Sequence, residues 1–189
     1  YGHDSPMQPW DEMYDADGQV RPGRGRLAAA LGRLGPEELH DRARLRDAHL
    51  SAQGITFTLS GRERPLPMDL VPRIVDAAEW QVIEAGVAQR IRALEMFLAA
   101  IYGAGEILRD HVIPRRLIPS SAHFHRQAHG VHPPNGVRIH VAGVDLIRDD
   151  QGTFRVLEDN LRSPSGVSYV LENRRTLSHV VPEIFTGHR

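Results

Sequence analysis

GVRIHVAGVDLIRDDQGTFRVLEDNLRSPSGVSYVLEN, residues 136–173, decides how the rest of the chain is read. Gly136 to Arg148 alternates with β-branched residues, Asp149-Asp150-Gln151-Gly152 carries turn chemistry, and Thr153 to Glu158 resumes the strand pattern, so the segment reads as an antiparallel hairpin. A turn centred between Asp150 and Gln151 sets Asp145 opposite Val156, Gly143 opposite Glu158 and Val141 opposite Asn160. Successive side chains take opposite faces. Asp145, Glu158 and Asn160 then share one face, while Val144, Leu146 and Leu157 share the other and can pack on a core. Asp145 and Glu158 become diagonal neighbours at roughly 7–8 Å between backbones, and Gly143 leaves a notch opposite Glu158. A three-residue loop with a bulge at Gly152 would instead separate Asp145 from the other two.

Two carboxylates and an amide carbonyl, with no thiolate or imidazole among them, suit a hard ion such as Mg²⁺ or Mn²⁺. Such an ion keeps several waters and takes the rest of its shell from substrate phosphates. After Asn160 the chain reads Leu161-Arg162-Ser163-Pro164-Ser165-Gly166 and then becomes helical. The Ser165-Gly166 backbone entering a helix, with the Arg162 guanidinium beside it, makes an anion site. The plainer alternative is a solvated acidic hairpin followed by an ordinary helix cap.

The run GVDLIRDDQGTFRVLEDNLRSPSG resembles the magnesium-binding end of ATP-grasp carboxylate–amine ligases. In that family an Asp on one strand, a turn and a Glu-x-Asn on the next strand hold the ions that bridge the ATP phosphates. Asp145, Glu158 and Asn160 match that pattern. The longer blocks PMDLVPRIVDAAEW, QRIRALEMFLAAIYG, RIHVAGVDLIRD and VLEDNLRSPSGVSYVLENRR resemble circularly permuted ATP-grasp proteins related to glutathionylspermidine synthetase, over nearly the whole chain. The resemblance implies ATP and Mg²⁺ or Mn²⁺ as cofactors, and amide formation from a carboxylate and an amine through an acylphosphate. Many ATP-grasp enzymes have an Arg two residues before the Asp. Gly143 stands there, which leaves Arg138 and Arg162 as the candidates for the phosphate contact, Arg162 also for a catalytic one.

Composition narrows the alternatives. The 189 residues suffice for one domain with a sizeable core, and 41% hydrophobic with 25% charged residues is an ordinary globular balance. A net charge of −1 gives no reason to expect nucleic acid, and partners are expected among small-molecule or peptide carboxylates and amines. Cysteine is absent, which removes disulfides, thiolate catalysis and zinc-ribbon chemistry together. No apolar run approaches the roughly 20 residues of a membrane span and no charged-then-apolar leader opens the chain, so a cytoplasmic home is the default expectation. All 23 basic residues are arginine. ATP-grasp enzymes hold nucleotide phosphates with lysines and a Gly-rich loop from a separate lobe. The first residue, Tyr1, reads as that of an excerpt or trimmed product. In the circularly permuted relatives the magnesium strands come early and the ATP-clamping lobe later, so the resemblance implies the first part of a longer ligase, inactive alone. The rival reading is a non-catalytic nucleotide- or peptide-binding module derived from such a ligase.

In chain order, Tyr1 to Arg26 reads as an extended arm turning at Asp17-Gly18 and packed by Trp10, Met13 and Tyr14. Arg21, Arg24 and Arg26 read as a solvated basic turn, with an anion contact as the alternative. A helix over Leu27 to Leu34 stops at Gly35, and a second opens at Pro36 and runs to about Gln53. Ile55 to Leu59 is a strand turned by Ser60-Gly61, and the prolines of Glu63 to Pro72 argue for an edge or rigid connector. There Asp69 and Arg73 read as a buried ion pair or, alternatively, as a substrate contact.

Asp76-x-x-Glu79 starts the longest helix, to about Gly103, with Trp80, Ile83, Val87, Ile91, Leu94, Leu98 and Ile101 as an apolar stripe and Glu95 among the polar cover. Ile113 to Asn135 is irregular. Its His123, His125, His129 and His132 read as a solvated loop rather than a zinc site. Ser168 to Ile184 reads as helix, ended or kinked at Pro182. The expected class is α/β (α+β), a partial ATP-grasp-type fold in one domain over 1–189. Residues 1–75 give the arm, helices and edge strand, 76–135 the long helix and connector, and 136–189 the metal hairpin, loop and helix.

Overall fold

The computed structural model describes residues 9–185, so the first part of the expected arm, up to Gln8, and the last residues from Thr186 lie outside the described residues. The elements in order are α1 (Gly25–Ala52), β1 (Thr56–Leu59), β2 (Arg62–Pro65), α2 (Ala77–Tyr102), α3 (Glu106–Arg109), β3 (Gly143–Arg148), β4 (Phe154–Asn160), α4 (Val167–Val180) and α5 (Pro182–Phe185). Single 3₁₀ turns sit at Arg115–Leu117, Arg126–Ala128 and Pro134–Gly136. The fold mixes helices with two small antiparallel sheets, β1-β2 and β3-β4. No described helix is long and apolar enough to cross a membrane.

The chain forms two compact units. The first takes the residues up to Asp76, the hairpin tip Asp149–Gly152 and everything from Ser165 onward; the second takes Ala77–Arg148 and Thr153–Pro164. In the first, α1 is continuous except at Gly35, whose φ of 69° and ψ of 168° break the helical path where Pro36 begins the next stretch. Only glycine adopts that backbone cheaply, and Pro36 follows in the first turn, where its missing N–H costs nothing. The core of this unit joins Leu27, Met68, Leu70, Leu177, Val180, Val181 and Ile184. Arg42 of α1 ties it together by donating to Glu38 at 2.7 Å, to the Val180 carbonyl at 2.5 Å and to Glu183 at 3.1 Å. That carbonyl ends α4, where a cation is favoured by the helix dipole. Tyr169 donates its hydroxyl to the Thr56 carbonyl at 3.2 Å, fastening α4 to the β1-β2 hairpin.

Of the residues expected to pack the arm, Met13 lies against this core, Tyr14 is exposed and bridged to Val20, and Trp10 covers the hairpin tip. The indole lies so close to Gly152 that a Cβ there would stand 2.5 Å from the ring, and Gly152 has a φ of 79°. Glycine is required twice over, by contact and by backbone. The Arg21 guanidinium covers the indole from 3.6 Å, so this arginine of the basic turn has a cation–π role.

In the second unit the stripe of α2 is only partly covered. Ile101 is buried, Ile83, Val87, Ile91, Leu94 and Leu98 are half-buried, and Trp80 is 56% exposed. Glu95, expected on the polar side, instead turns its carboxylate onto two successive backbone amides, those of Arg138 and Ile139, the latter at 2.9 Å. The Pro/His-rich connector is tied to the end of the helix by Tyr102. Its carbonyl accepts from Gly130 at 2.8 Å, its hydroxyl accepts from the His125 amide at 3.3 Å, and its ring stacks on Phe124.

Candidate functional site

The register of β3-β4 differs from a centred turn in two places. The loop is Asp149–Thr153, so Arg148 pairs with Phe154, Ile147 with Arg155 and Leu146 with Val156. A bulge then follows between Asp145 and Leu146, beyond which Asp145 pairs with Glu158, Val144 with Asp159 and Gly143 with Asn160. Each slip by one residue reverses the facing of everything past it. Two such slips cancel. Asp145, Glu158 and Asn160 therefore share a face, but Asp145 stands directly across from Glu158 instead of diagonally. Leu157, expected on the core face, is the residue left over at the bulge and is 64% exposed. The notch expected opposite Glu158 lies opposite Asn160 instead, and it is filled: a Cβ on Gly143 would stand 2.8 Å from Cβ of Pro164.

The two faces differ in what they meet. On one side Asp159 receives Arg90 of α2 in a two-pronged contact, Nε to Oδ1 at 2.7 Å and Nη2 to Oδ2 at 2.7 Å. Arg148, on the same side, reaches Glu79 at 2.8 Å and lies over the Phe154 ring at 4.0 Å. Glu79 and Arg90 are three helical turns apart, so one line of α2 supplies both contacts. Val144 and Leu146 on this side are half-buried.

The other side carries Asp145 and Glu158, both exposed, with Asn160 half-buried and donating Nδ2 to Glu158 Oε1 at 3.1 Å. Neither Asp145 nor Glu158 is ion-paired with any described residue. Like charges placed directly across a ladder repel. Two carboxylates opposed on an open face beside an amide are all oxygen donors, which is the ligand chemistry of a hard divalent ion. Arg162, two residues past Asn160, is exposed, and Arg138 is half-buried with its backbone amide held by Glu95. Ser165 and Gly166 belong to the first unit, where Gly166 precedes α4 with a φ of 106° and no side chain caps the helix. The four connector histidines are exposed, and among the described residues no three His, Cys, Asp or Glu side chains form a group able to hold a metal.

Two predictions arise from this geometry. The Asp159 carboxyl is held below the usual carboxylate range, chiefly by its hydrogen bonds from Arg90. A carboxyl depressed on folding stabilises the native state above its unfolded pKa, about 3.9, and that contribution disappears as pH falls through the lower folded value. We expect Arg90→Gln to bring the Asp159 titration, followed by carboxyl NMR, back into the ordinary range and to make the hairpin amides exchange faster above pH 4 than in the wild type. An unchanged titration would remove Arg90 as the cause.

Gly143→Ala places a methyl well inside the roughly 3.5–4.0 Å of normal carbon contact, against a ring carbon bonded to backbone. The expected cost is about 1–3 kcal/mol in the denaturant midpoint, with amide shifts centred on Leu161 to Ser165. Shifts confined to the hairpin tip would contradict it.

Comparison with known proteins bears on this hairpin directly. Residues 72–189, which include α2, the connector, β3-β4 and α4, match the family described as a circularly permuted ATP-grasp. The chain belongs to that family. An uncharacterised protein of Mycobacterium leprae is 61% identical over 95% of this ATP-grasp chain, which covers 32% of that protein. One of Synechocystis is 43% identical over 93% of the chain, covering 37% of its own length. A candidate glutamate–cysteine ligase of Frankia casuarinae is 42% identical over 93% of the chain and 20% of its own length. The chain thus spans about a third of the length of the first of these relatives.

The contacts that hold the hairpin were not evident from pattern alone. Arg90–Asp159 and Arg148–Glu79 each join residues 69 apart. The available signal was the alternation itself: Arg148 and Asp159 are charged residues at positions that face inward, and such residues need partners.

Proposed function

We propose that this chain supplies the metal-binding wall of an ATP-dependent carboxylate–amine ligase, in which Asp145, Glu158 and Asn160 hold Mg²⁺ or Mn²⁺ against the phosphates of ATP. The observation that carries the reading is the directly opposed Asp145 and Glu158, without a cationic partner among the described residues and flanked by Asn160. When bound, the ion neutralises phosphate oxygens and orients the terminal phosphoryl group for in-line transfer to a carboxylate. The part of this chain would be to present the three residues on one face and to keep the hairpin from flexing away, through the Arg90 and Arg148 contacts on its reverse side. Arg162 and Arg138 are the guanidiniums of the same unit that would contact phosphate or a substrate carboxylate. The amides of Ser165 and Gly166, at the head of α4, are a further anion contact of the proposal. Family membership supports nucleotide chemistry, and the name of the Frankia relative supports joining a carboxylate to an amine. The glutathionylspermidine synthetase-like subtype and the ATP-clamping lobe as partner are part of the same proposal.

The test uses the chain as it stands. Tight phosphate binding needs charge-assisted donors on a second wall that excludes water, and with no lysine those donors could only be arginines. We expect calorimetry of the 189-residue chain with Mg²⁺-ATP to give binding weaker than micromolar, and a phosphate-release assay to give no turnover. Micromolar binding or any Glu158-dependent hydrolysis would mean that the nucleotide site is complete here. Mn²⁺-induced line broadening at the amides of Asp145 and Glu158 in the wild type, lost at Asp145 and at position 158 in Glu158→Gln, would support the metal assignment, and broadening elsewhere would refute it.

A further inference from the structure

Glu95 of α2 closes a two-pronged clamp on the backbone ahead of β3: Oε1 accepts from the Arg138 amide, and Oε2 accepts from the Ile139 amide at 2.9 Å. β3 does not begin until Gly143, so neither amide has a ladder partner, and an amide withdrawn from water needs an acceptor. A carboxylate that accepts through both oxygens is a charge-assisted and directional tether. No cation pairs with Glu95 among the described residues, so its hydrogen bonding is committed to these two N–H groups. The same helix reaches Asp159 through Arg90 and Arg148 through Glu79, so one element fixes both the hairpin and the residues entering it. Ile139, 8% exposed, anchors the same point by its apolar side chain.

What the tether presents is Arg138. Among the described residues the buried and half-buried arginines are Arg21, Arg24, Arg42, Arg46, Arg138 and Arg148. All but Arg138 use their side chains: Arg21 lies over Trp10, Arg42 and Arg46 reach carboxylates and carbonyls, Arg148 pairs with Glu79, and Arg24 is engaged as well. Arg73, expected in a buried ion pair with Asp69, is exposed instead and approaches Glu12 at 4.0 Å. The Arg138 guanidinium has no hydrogen bond or ion pair with any described residue. A guanidinium held partly out of water with its donors unspent is a receiver for an oxyanion, which it binds through paired hydrogen bonds. Arg138 is also the last arginine before Asp145 in the chain, where Gly143 supplies no cation.

We propose that Arg138, and not the exposed Arg162, makes the phosphate contact of the ligase site, and that Glu95 is the positioning residue that sets it there. The inference rests on the reading of the Asp145–Glu158 face as the metal wall, and narrows it from two guanidiniums to one. Without the clamp the backbone at Arg138 loses its fixed point, and the guanidinium must be ordered anew each time phosphate binds. Loss of Glu95 therefore weakens ATP binding without removing a group that touches ATP.

The experiment measures kcat and KM for ATP, with the unfolding midpoint, in the parent-length protein carrying Arg138→Gln, Glu95→Gln or both. Arg138→Gln removes no described hydrogen bond or ion pair of that side chain, and is expected to raise KM for ATP at least about tenfold. Glu95→Gln keeps the size of the side chain and one acceptor oxygen, and is expected to raise KM at least about threefold with kcat and the midpoint little changed. In the Arg138→Gln background Glu95→Gln should raise KM no further, because its effect passes through the guanidinium already removed. A Glu95 that only braces the fold would multiply with Arg138→Gln and lower the midpoint. Should Glu95→Gln not fold, Glu95→Asp, which keeps the charge and shortens the reach, takes its place with the same expectation. Multiplied effects, a wild-type KM in Arg138→Gln, or a larger rise in Arg162→Gln would overturn the proposal. Lost turnover in Glu158→Gln together with an unchanged KM in Arg138→Gln overturns this inference alone, whereas wild-type turnover in Glu158→Gln overturns the metal wall on which it rests.

Discussion

Glu158→Gln in the parent-length protein is expected to lower ATP turnover by at least about 100-fold while leaving the unfolding midpoint where it was or slightly higher. Glutamine keeps the shape of the side chain and the oxygen that accepts from Asn160 Nδ2, so the local hydrogen bond survives. What it loses is the negative charge directly opposite Asp145. Without an ion that charge is repulsive, so its removal favours the hairpin; under the proposed metal role the same charge would be the attraction that holds the ion. Activity and stability should therefore move in opposite directions, a pairing that general damage to the fold does not produce. Turnover like the wild type at limiting Mg²⁺ would take Glu158 out of the chemistry. Lost activity accompanied by a lowered midpoint would mean general damage to the fold and not the loss of one ligand.

Leu27→Ala is expected to cost about 2–5 kcal/mol in the first unit, the range for emptying a fully packed leucine position. Leu27 is 1% exposed and lies in the cluster with Leu177, Val180 and Ile184, so its removal leaves a void lined by α1, α4 and α5 that rigid helices close poorly. Trp10 belongs to that unit and, in a Trp80→Phe background, follows its unfolding by fluorescence. Leu45→Ala is the control: the residue is 44% exposed and should change the midpoint by less than about 0.5 kcal/mol. Equal effects from the two substitutions would show that the core has been placed wrongly.

Local signals carried much of this fold. The alternation of Val144 to Arg148, the glycine at Gly152, the break at Gly35-Pro36 and the start of α2 beside Asp76 are each decided within a few residues, where backbone preference and side-chain periodicity suffice. The exact pairing of the hairpin was not legible. It depends on where an unpaired residue is cheapest to leave, and the contacts made beyond the bulge, Pro164 against Gly143 and Arg90 on Asp159, come from outside the two strands. The facing of the three oxygen donors was nonetheless readable, because face depends only on whether the slips are odd or even in number. Glu95 reads as polar cover because helical periodicity distinguishes apolar from polar positions. It carries no record of backbone amides arriving from Arg138 and Ile139. The grouping of Glu12, Arg24, Asp69 and Arg73 around one cavity was hidden for a related reason: the four are scattered over three segments that only folding collects.

The bulge between Asp145 and Leu146 has a bearing on how such a hairpin can vary over evolutionary time. It divides the ladder into an outer half next to the turn and an inner half against which Pro164 packs. Leu157, unpaired between them and open to solvent, works as an expansion joint. A residue gained or lost at the turn can be absorbed there, by deepening or erasing the bulge, without rotating Asp145 away from Glu158. The tip is thereby free to change length and to seek other partners than Trp10, while the end that bears the oxygen donors keeps its alignment.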